Sequence, residues 1–207
     1  MTSGCRVVCI SRTLGAGAEE IGRAVASELG FRYADDEIIA RAAEAAGVSP
    51  ETIAGVEKTP GLVTRIAESM GRFPMAPEGW SMPVMVTPQP AYEDLIQRVI
   101  NEVATEGSVV IVAHGASIGL AGTEGVLRVL INGSPEARAR RLTEAGAIDG
   151  QKAAKAIGES DKQRREFLRR FYDVGDEEAT HYDLVISTDI LSPAAASEVV
   201  LAAAKQF

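Results

Sequence analysis

The stretch that decides the fold is residues 6–21, Arg6-Val7-Val8-Cys9-Ile10-Ser11-Arg12-Thr13-Leu14-Gly15-Ala16-Gly17-Ala18-Glu19-Glu20-Ile21. Its first part, Arg6 to Ile10, is a short apolar, β-branched run that predicts a buried strand. It ends at a polar, glycine-bearing segment, Ser11 to Gly17. From Glu19 to Leu29 the apolar positions Ile21, Ala24, Val25, Ala26 and Leu29 keep helical spacing, acids occupy the first turn, and Gly30 is placed to end the helix. Glycines between a first strand and a helix let successive backbone N–H groups curl around a phosphate, and the helix N-terminus adds partial positive charge. A full phosphate loop, GxxxxGK[ST], would place a lysine at Ala18 and a hydroxyl near Glu19 or Glu20, and both are absent. On its own, strand, GAG and helix fits a plain tight turn as well as a phosphate cradle.

Outward from this stretch the same alternation repeats. Phe31 to Tyr33 predicts a second strand, followed by Asp35, Asp36 and an alanine-rich helix to about Ala46; Ser49 and Pro50 open another as N-cap and first residue. Gly71 to Pro90, with five prolines and the only tryptophan, Trp80, excludes long regular structure and is read as a mobile loop. Tyr92 to Glu106 is helical in period, Ser108 to Ala113 and Val126 to Ile131 are strands, and Ser134-Pro135 starts a helix carrying Arg138, Arg140 and Arg141. A basic helix from about Gln151 to Tyr172, a last strand Leu184 to Ser187 and a helix from Pro193 to Lys205 complete the chain. Apolar strands alternating with helices imply a three-layer α/β/α fold with a parallel sheet, and ligands at the carboxyl ends of its strands.

At 207 residues one domain over 1–207 is expected, with a core that needs no disulfide or metal staple. Cys5 and Cys9, four apart on an apolar run, read as reduced core thiols, since only His114 and His181 are available to complete a metal site. No signal-like segment opens the chain and no apolar run reaches membrane-spanning length, so a cytoplasmic location is expected. The net charge of −8 argues against nucleic acid or anionic membrane as partner. Eleven of the 21 basic residues nevertheless fall between Arg128 and Arg170, a concentration that points to a local anionic ligand of small size.

The order and spacing of these marks resemble the cytidylate kinase-like family, within the P-loop nucleoside monophosphate kinase superfamily, in its branch with a degenerate phosphate loop. The marks are Ile10-Ser11-Arg12 with Gly15, Gly17 and Ile21-Gly22; Phe31 to Ile39 (FRYADDEII); Val109 to Gly115; the Leu130 to Arg141 strand and helix; Asp161-Lys162-Gln163-Arg164; and Tyr182 to Thr188 (YDLVIST). They span nearly the whole chain.

The resemblance implies a P-loop NTP hydrolase-like fold with an acceptor-binding insert at about 36–95 and a basic lid at about 146–175. It also implies ATP and Mg²⁺ as donor and cofactor. Ser11, Gly15, Ala16, Gly17, Ala18 and Glu19 would surround the donor's β-phosphate, and Arg12 is the nearest replacement for the missing lysine. Asp161, Arg164, Arg165 and Arg169 would belong to the lid; Asp35, Asp36, Arg65, Arg98, Arg72 and His114 would face the acceptor. An arginine-rich closing lid suits phosphoryl transfer, which needs mainly positioning and charge neutralisation.

Several of these positions have a second reading. Lys162, Arg165 and Arg169 share one helix face, which could simply be solvated. Asp35 and Asp36 could cap the following helix. Trp80 with Met75, Met82 and Met85 fits a homodimer patch as well as an acceptor insert. Two departures bear on activity: the family's arginine between two glycines is replaced by Ala113-His114-Gly115, and the strand Ser108 to Ala113 ends in no acidic residue to order magnesium water. His114 could still donate a hydrogen bond. Three functions therefore remain: a small-molecule kinase, with acceptors such as CMP or dCMP; a nucleotide-binding regulator or sensor that has lost turnover; and a nucleotide-independent interaction protein.

Overall fold

The computed structural model describes residues 4–58 and 89–207. Five parallel strands, β1 (Val7–Arg12), β2 (Arg32–Ala34), β3 (Val109–Val112), β4 (Val126–Asn132) and β5 (Leu184–Ser187), lie in the order β2-β3-β1-β4-β5. The helices are α1 (Ala18–Leu29), α2 (Asp36–Ala46), α3 (Pro50–Lys58), α4 (Gln89–Glu106), α5 (Ala116–Gly119), α6 (Pro135–Glu144), α7 (Gly150–Tyr172) and α8 (Pro193–Ala204). The expected α/β/α architecture is what these residues form.

A strand covered on both faces must be apolar at every position, because successive side chains point to opposite sides. β1 follows this rule. Val7 and Cys9 pack with α2, α3 and α4 residues such as Ile38, Ile53 and Ile100. Val8 and Ile10 pack with Ile21 and Val25 of α1 and Val200 of α8. Cys9 is thus a core thiol, free and buried, and burial pushes its pKa up.

β1 runs two residues beyond the predicted end. Ser11 and Arg12 stay in register with Leu130 and Ile131 of β4, and the Thr13 N–H donates to the Ile131 carbonyl at 3.2 Å. Arg12 therefore leaves from a strand end and not from a loop. β2 is likewise shifted one residue along, to Arg32–Ala34. Ser134 caps α6 by accepting from the Ala137 N–H at 3.2 Å, with Pro135 at its first turn, as its sequence predicts.

Of the Gly71 to Pro90 loop, Gln89 and Pro90 belong to the first turn of α4, where proline's missing N–H costs no helical bond. The rest of that segment, with Arg65, Arg72, Trp80, Met75, Met82 and Met85, lies outside the described residues. Among the described residues no helix is long and apolar enough to cross a membrane.

Candidate phosphate and acceptor site

The carboxyl ends of β1 and β3 open on a cleft of about 360 Å³ lined by Arg12, Leu14, His114, Gln163, Arg164 and Phe167 among others. Beside it the loop Thr13 to Gly17 is held by a frame of side chains, not by its own turn alone. Arg141 donates from Nη1 to the Gly15 carbonyl and from Nη2 to the Thr188 carbonyl, both at 2.6 Å. Thr188 Oγ1 lies 3.0 Å from the Ala16 carbonyl it can donate to, and the Thr13 carbonyl accepts from the Ala16 N–H at 3.0 Å.

A trans peptide sets each N–H opposite the preceding carbonyl. With the Ala16 carbonyl turned toward Thr188, the Gly17 N–H vector points the other way, whereas the Ala16 N–H is already spent on the Thr13 carbonyl. α1 then begins at Ala18 with no side-chain cap, so its first-turn donors remain for a ligand. Gly15 is required twice over: its φ is +79°, and an added Cβ would lie 2.9 Å from the Arg138 carbonyl.

The individual predicted residues divide sharply. Ala16 and Ala18 are fully buried and can offer only backbone. Ser11 is also buried, and its hydroxyl donates to Ser117 Oγ at 3.2 Å, tying β1 to α5. Arg12 reaches the cleft, but its guanidinium is paired with Glu19, so that the residue expected on the phosphate serves instead as the counter-ion of the expected lysine replacement.

On α7, within the segment expected as a lid, Arg164 also reaches the cleft. It is bound by Glu177 through two hydrogen bonds, Nε to Oε2 at 2.8 Å and Nη2 to Oε1 at 2.5 Å, while the Tyr182 hydroxyl donates to the same carboxylate. Burial would raise the Glu177 pKa, yet the bond and charge of Arg164 outweigh it and hold the carboxyl below its ordinary value. Burial first, then the Glu177 charge, push Tyr182 up to about 12.

Asp161 does not line the cleft. It forms a two-pronged pair with Arg138, at 2.8 and 2.7 Å, that fastens α7 to α6. Arg165 and Arg169 are exposed on α7, and Arg98 is exposed on α4; none of the three lines the cleft. Asp36 is exposed in the first turn of α2, the place its capping alternative assigns it.

Asp35 occupies the N-cap position of α2 but makes no side-chain cap bond. Its carboxylate instead lies 3.2 Å from Nε2 of the buried His114, which is also 3.1 Å from the Asp35 carbonyl. Burial would raise the Asp35 pKa. The hydrogen bond and charge of His114, with the charges of Arg12 and Arg23, outweigh it and bring it below the usual carboxylate value.

His114 is held in an unusual backbone. Ala113, His114 and Gly115 have φ of 73°, 56° and 68°, three left-handed residues in succession, two of them not glycine. Such conformations persist only where surroundings over-determine them and they gather at functional sites. Here the Tyr172 hydroxyl donates to the His114 carbonyl at 2.9 Å, and its ring sits against Gly115.

Sequence reading missed Arg141, Thr188, Glu177, Tyr182 and Tyr172 as contributors to the site. Arg141, Thr188 and Tyr182 fall within the Leu130 to Arg141 and Tyr182 to Thr188 marks, so a signal was present; Glu177 and Tyr172 carried none.

The sequence that carries this loop matches one family pattern over residues 7–190. The chain belongs to the cytidylate kinase-like family. A curated cytidylate kinase from Thermococcus kodakarensis is 26% identical over 203 residues, covering 98% of this chain and 90% of that protein. Among solved structures, an uncharacterized protein from Eubacterium ventriosum superposes with a TM-score of 0.67 at 14% identity, covering 98% and 99% of the two chains. A shikimate kinase from Bacteroides thetaiotaomicron (TM-score 0.53, 15% identity, 96% and 97% covered) and a gluconokinase from Sinorhizobium meliloti (TM-score 0.53, 11% identity, 98% and 93% covered) share the fold. Membership places the chain among kinase-like phosphotransferases acting on nucleotides or other small molecules.

Membership implies use of a nucleotide, typically with Mg²⁺, and the residues present fit these two parts unequally. The Gly17 N–H and the uncapped α1 suit a phosphate. Among the described residues no group of three or more His, Cys, Asp or Glu could hold a metal, so any Mg²⁺ would be held mainly by nucleotide oxygens.

Proposed function

We propose that the protein transfers a phosphoryl group from Mg²⁺-ATP to a small acceptor of nucleoside monophosphate type, with CMP or dCMP first among the candidates. One observation carries this: Arg12, His114 with its partner Asp35, and the lid residue Arg164 converge on one cleft beside the framed glycine loop. The Gly17 N–H and the first turn of α1 would hold the donor phosphates. Arg12 and Arg164 would neutralise charge on the transferring group, which is the main contribution a protein makes to this reaction. For Arg12 to do so it must exchange Glu19 for phosphate oxygens, and for Arg164 the corresponding carboxylate is Glu177.

Those two carboxylates favour a second reading, a nucleotide-binding regulator that no longer turns over. Each cation that would replace the lost lysine is already neutralised within the chain, and Ala18 leaves no side chain to substitute for it.

ADP release from Mg²⁺-ATP, measured with a panel of nucleoside monophosphates on wild type and Arg164→Ala alongside ATP binding by both, separates the two. Acceptor-dependent release that the variant loses supports the kinase. ATP binding without turnover on any acceptor supports the regulator. Absence of both binding and turnover would sink the phosphate-cradle assignment altogether.

A further inference from the structure

The left-handed run Ala113 to Gly115 is held from outside its own segment, by the last residue of α7. The Tyr172 hydroxyl donates to the His114 carbonyl at 2.9 Å, and the Tyr172 ring lies so close to Gly115 that an added Cβ would collide with it. Non-glycine residues keep left-handed backbone only under support of this kind. At the other end of the same residue, His114 Nε2 faces the Asp35 carboxylate at 3.2 Å.

Tyr172 does not stand alone on α7. Arg164, Phe167 and Phe171 follow one another at helical spacing, so they share a face, and the first two line the cleft. The rings of Phe167 and Phe171 are 4.3 Å apart, and the Tyr172 ring is 6.0 and 6.5 Å from them. Phe171 is rooted in the core cluster that holds Ile38, Ile100 and Leu120. Close-packed rings on one rigid helix shift together and not one by one. The block therefore touches the cleft twice: Arg164 lines it with Arg12 and Leu14 on the side of the glycine loop, and Tyr172 holds the backbone of His114.

We propose that Tyr172 is a positioning residue that couples the two halves of the cleft. When a nucleotide phosphate draws Arg164 and α7 toward the glycine loop, Tyr172 carries the displacement to the His114 run and sets the Asp35–His114 pair for the acceptor. This rests on the kinase reading and adds to it a mutual dependence of donor and acceptor binding. Such coupling needs an element with two arrangements that both ligands bias, and the left-handed run, held by an outside hydroxyl, is that element.

The test compares wild type with Tyr172→Phe, which keeps the ring and removes the bond to His114. His114 and His181 are the two histidines of the chain, so ¹⁵N-histidine spectra, with His181→Gln for assignment, report the His114 ring directly. Adding Mg²⁺-ADP should move the His114 ring signals in wild type. In Tyr172→Phe they should stay, although ADP binds within about twofold of wild type and the melting temperature is retained. By titration calorimetry, ADP should tighten CMP binding about fivefold or more in wild type, CMP should tighten ADP by the same factor, and in Tyr172→Phe the ratio should fall below about twofold. KM for CMP should rise roughly two- to tenfold, the worth of one neutral hydrogen bond, with the affinity for ATP alone unchanged. A merely structural tyrosine would instead lower the melting temperature and weaken both ligands alike.

His114 signals that ADP leaves unmoved in wild type, or moves equally in both proteins, overturn the inference while leaving the kinase reading standing. So does CMP binding that is indifferent to ADP in wild type. Wild type that binds no ADP removes the kinase reading and the inference together. ADP that moves His114 through Tyr172 in a protein that binds no CMP supports the coupling and removes CMP as the acceptor instead.

Discussion

The two sides of the sheet's carboxyl edge hold their backbone in different ways. On the β4 and β5 side, the loop carbonyls of Gly15 and Ala16 meet Arg141 and Thr188, and Arg138 closes on Asp161. On the β2 and β3 side, three successive residues sit in left-handed conformations, the Tyr33 hydroxyl has no partner among the described residues, and Asp35 forgoes its cap to hold His114. The first side holds the loop in a single arrangement. Buried polar atoms without a partner occur on both, at Thr13 Oγ1 and Arg138 Nε as well as at the Tyr33 hydroxyl, so what sets the second side apart is its run of left-handed residues.

Breaking the first side should therefore cost stability, and breaking the second should cost function. The largest effect is expected for Arg138→Ala. Its side chain is 4% exposed, and its removal leaves Asp161 unpaired at the α6–α7 junction and the Leu14 carbonyl without its long contact. Removing one partner of a buried pair costs about 3 kcal/mol, or roughly 6–12 °C in melting temperature for a chain of this size. If calorimetry shows a shift under about 2 °C, on the same scale, the latch is not structural.

Next in size is Arg164→Ala, which removes the lid's one described arginine that lines the cleft. Turnover should fall about a hundredfold or more, since a cation on the transferring phosphoryl contributes at least that much. Stability should fall as well, because Glu177 is left without the arginine that holds it. Arg165→Ala and Arg169→Ala serve as controls: both residues are exposed, and neither variant should alter kcat more than about twofold if their face is only solvated.

The legibility of the chain follows the same division. β1, β3, β4 and β5 and their flanking helices were readable because an apolar run bounded by glycine or proline has few alternatives, as Val109 to Val112 illustrates. The glycine loop was readable for the same local reason. Charge pairing was not. Nothing in the spacing of Arg12 and Glu19 distinguishes a phosphate ligand from a counter-ion, because both readings place the two side chains at the same loop. Glu177 lies 13 positions from Arg164, and only the turn after α7 brings them together. The lid is expected from basic residues, yet three of them, Arg165, Arg169 and Lys162, face solvent, while Phe167 and Gln163 line the cleft. The buried face of α7 is written in its apolar residues, with Ala153, Ile157 and Leu168 buried at helical spacing, and the basic residues by themselves do not carry that information.

Glu19→Gln sharpens the comparison at its seam, where the framed loop meets the cleft. The substitution frees Arg12, and because the pair is about a third exposed its value is small, about 0.2–1 kcal/mol. ATP should consequently bind about two- to fivefold tighter, while the fold loses a few tenths of a kcal/mol from the first-turn acid that favours the α1 dipole. An unchanged or weaker ATP affinity would mean that Glu19 does not compete with the ligand.

The smallest effect separates the lid's lock from ordinary surface pairing through its pH dependence. Glu177 has a folded pKa below its ordinary value, so it binds protons less readily in the folded than in the unfolded state. Its contribution is complete above the ordinary glutamate pKa and is lost as pH falls through that value toward the folded one. Asp35 acts with the same sign at the other side of the cleft. Denaturation midpoints followed from neutral pH into the acid range should fall less steeply in Glu177→Gln than in wild type, with the two curves parallel above the carboxylate range. In Asp35→Asn the same flattening should appear, and the two effects should add, since the residues share no direct contact. A slope unaltered by Glu177→Gln would show that the carboxylate is paired with Arg164 too loosely to hold the lid helix, and the arginine would then be available to phosphate at no cost.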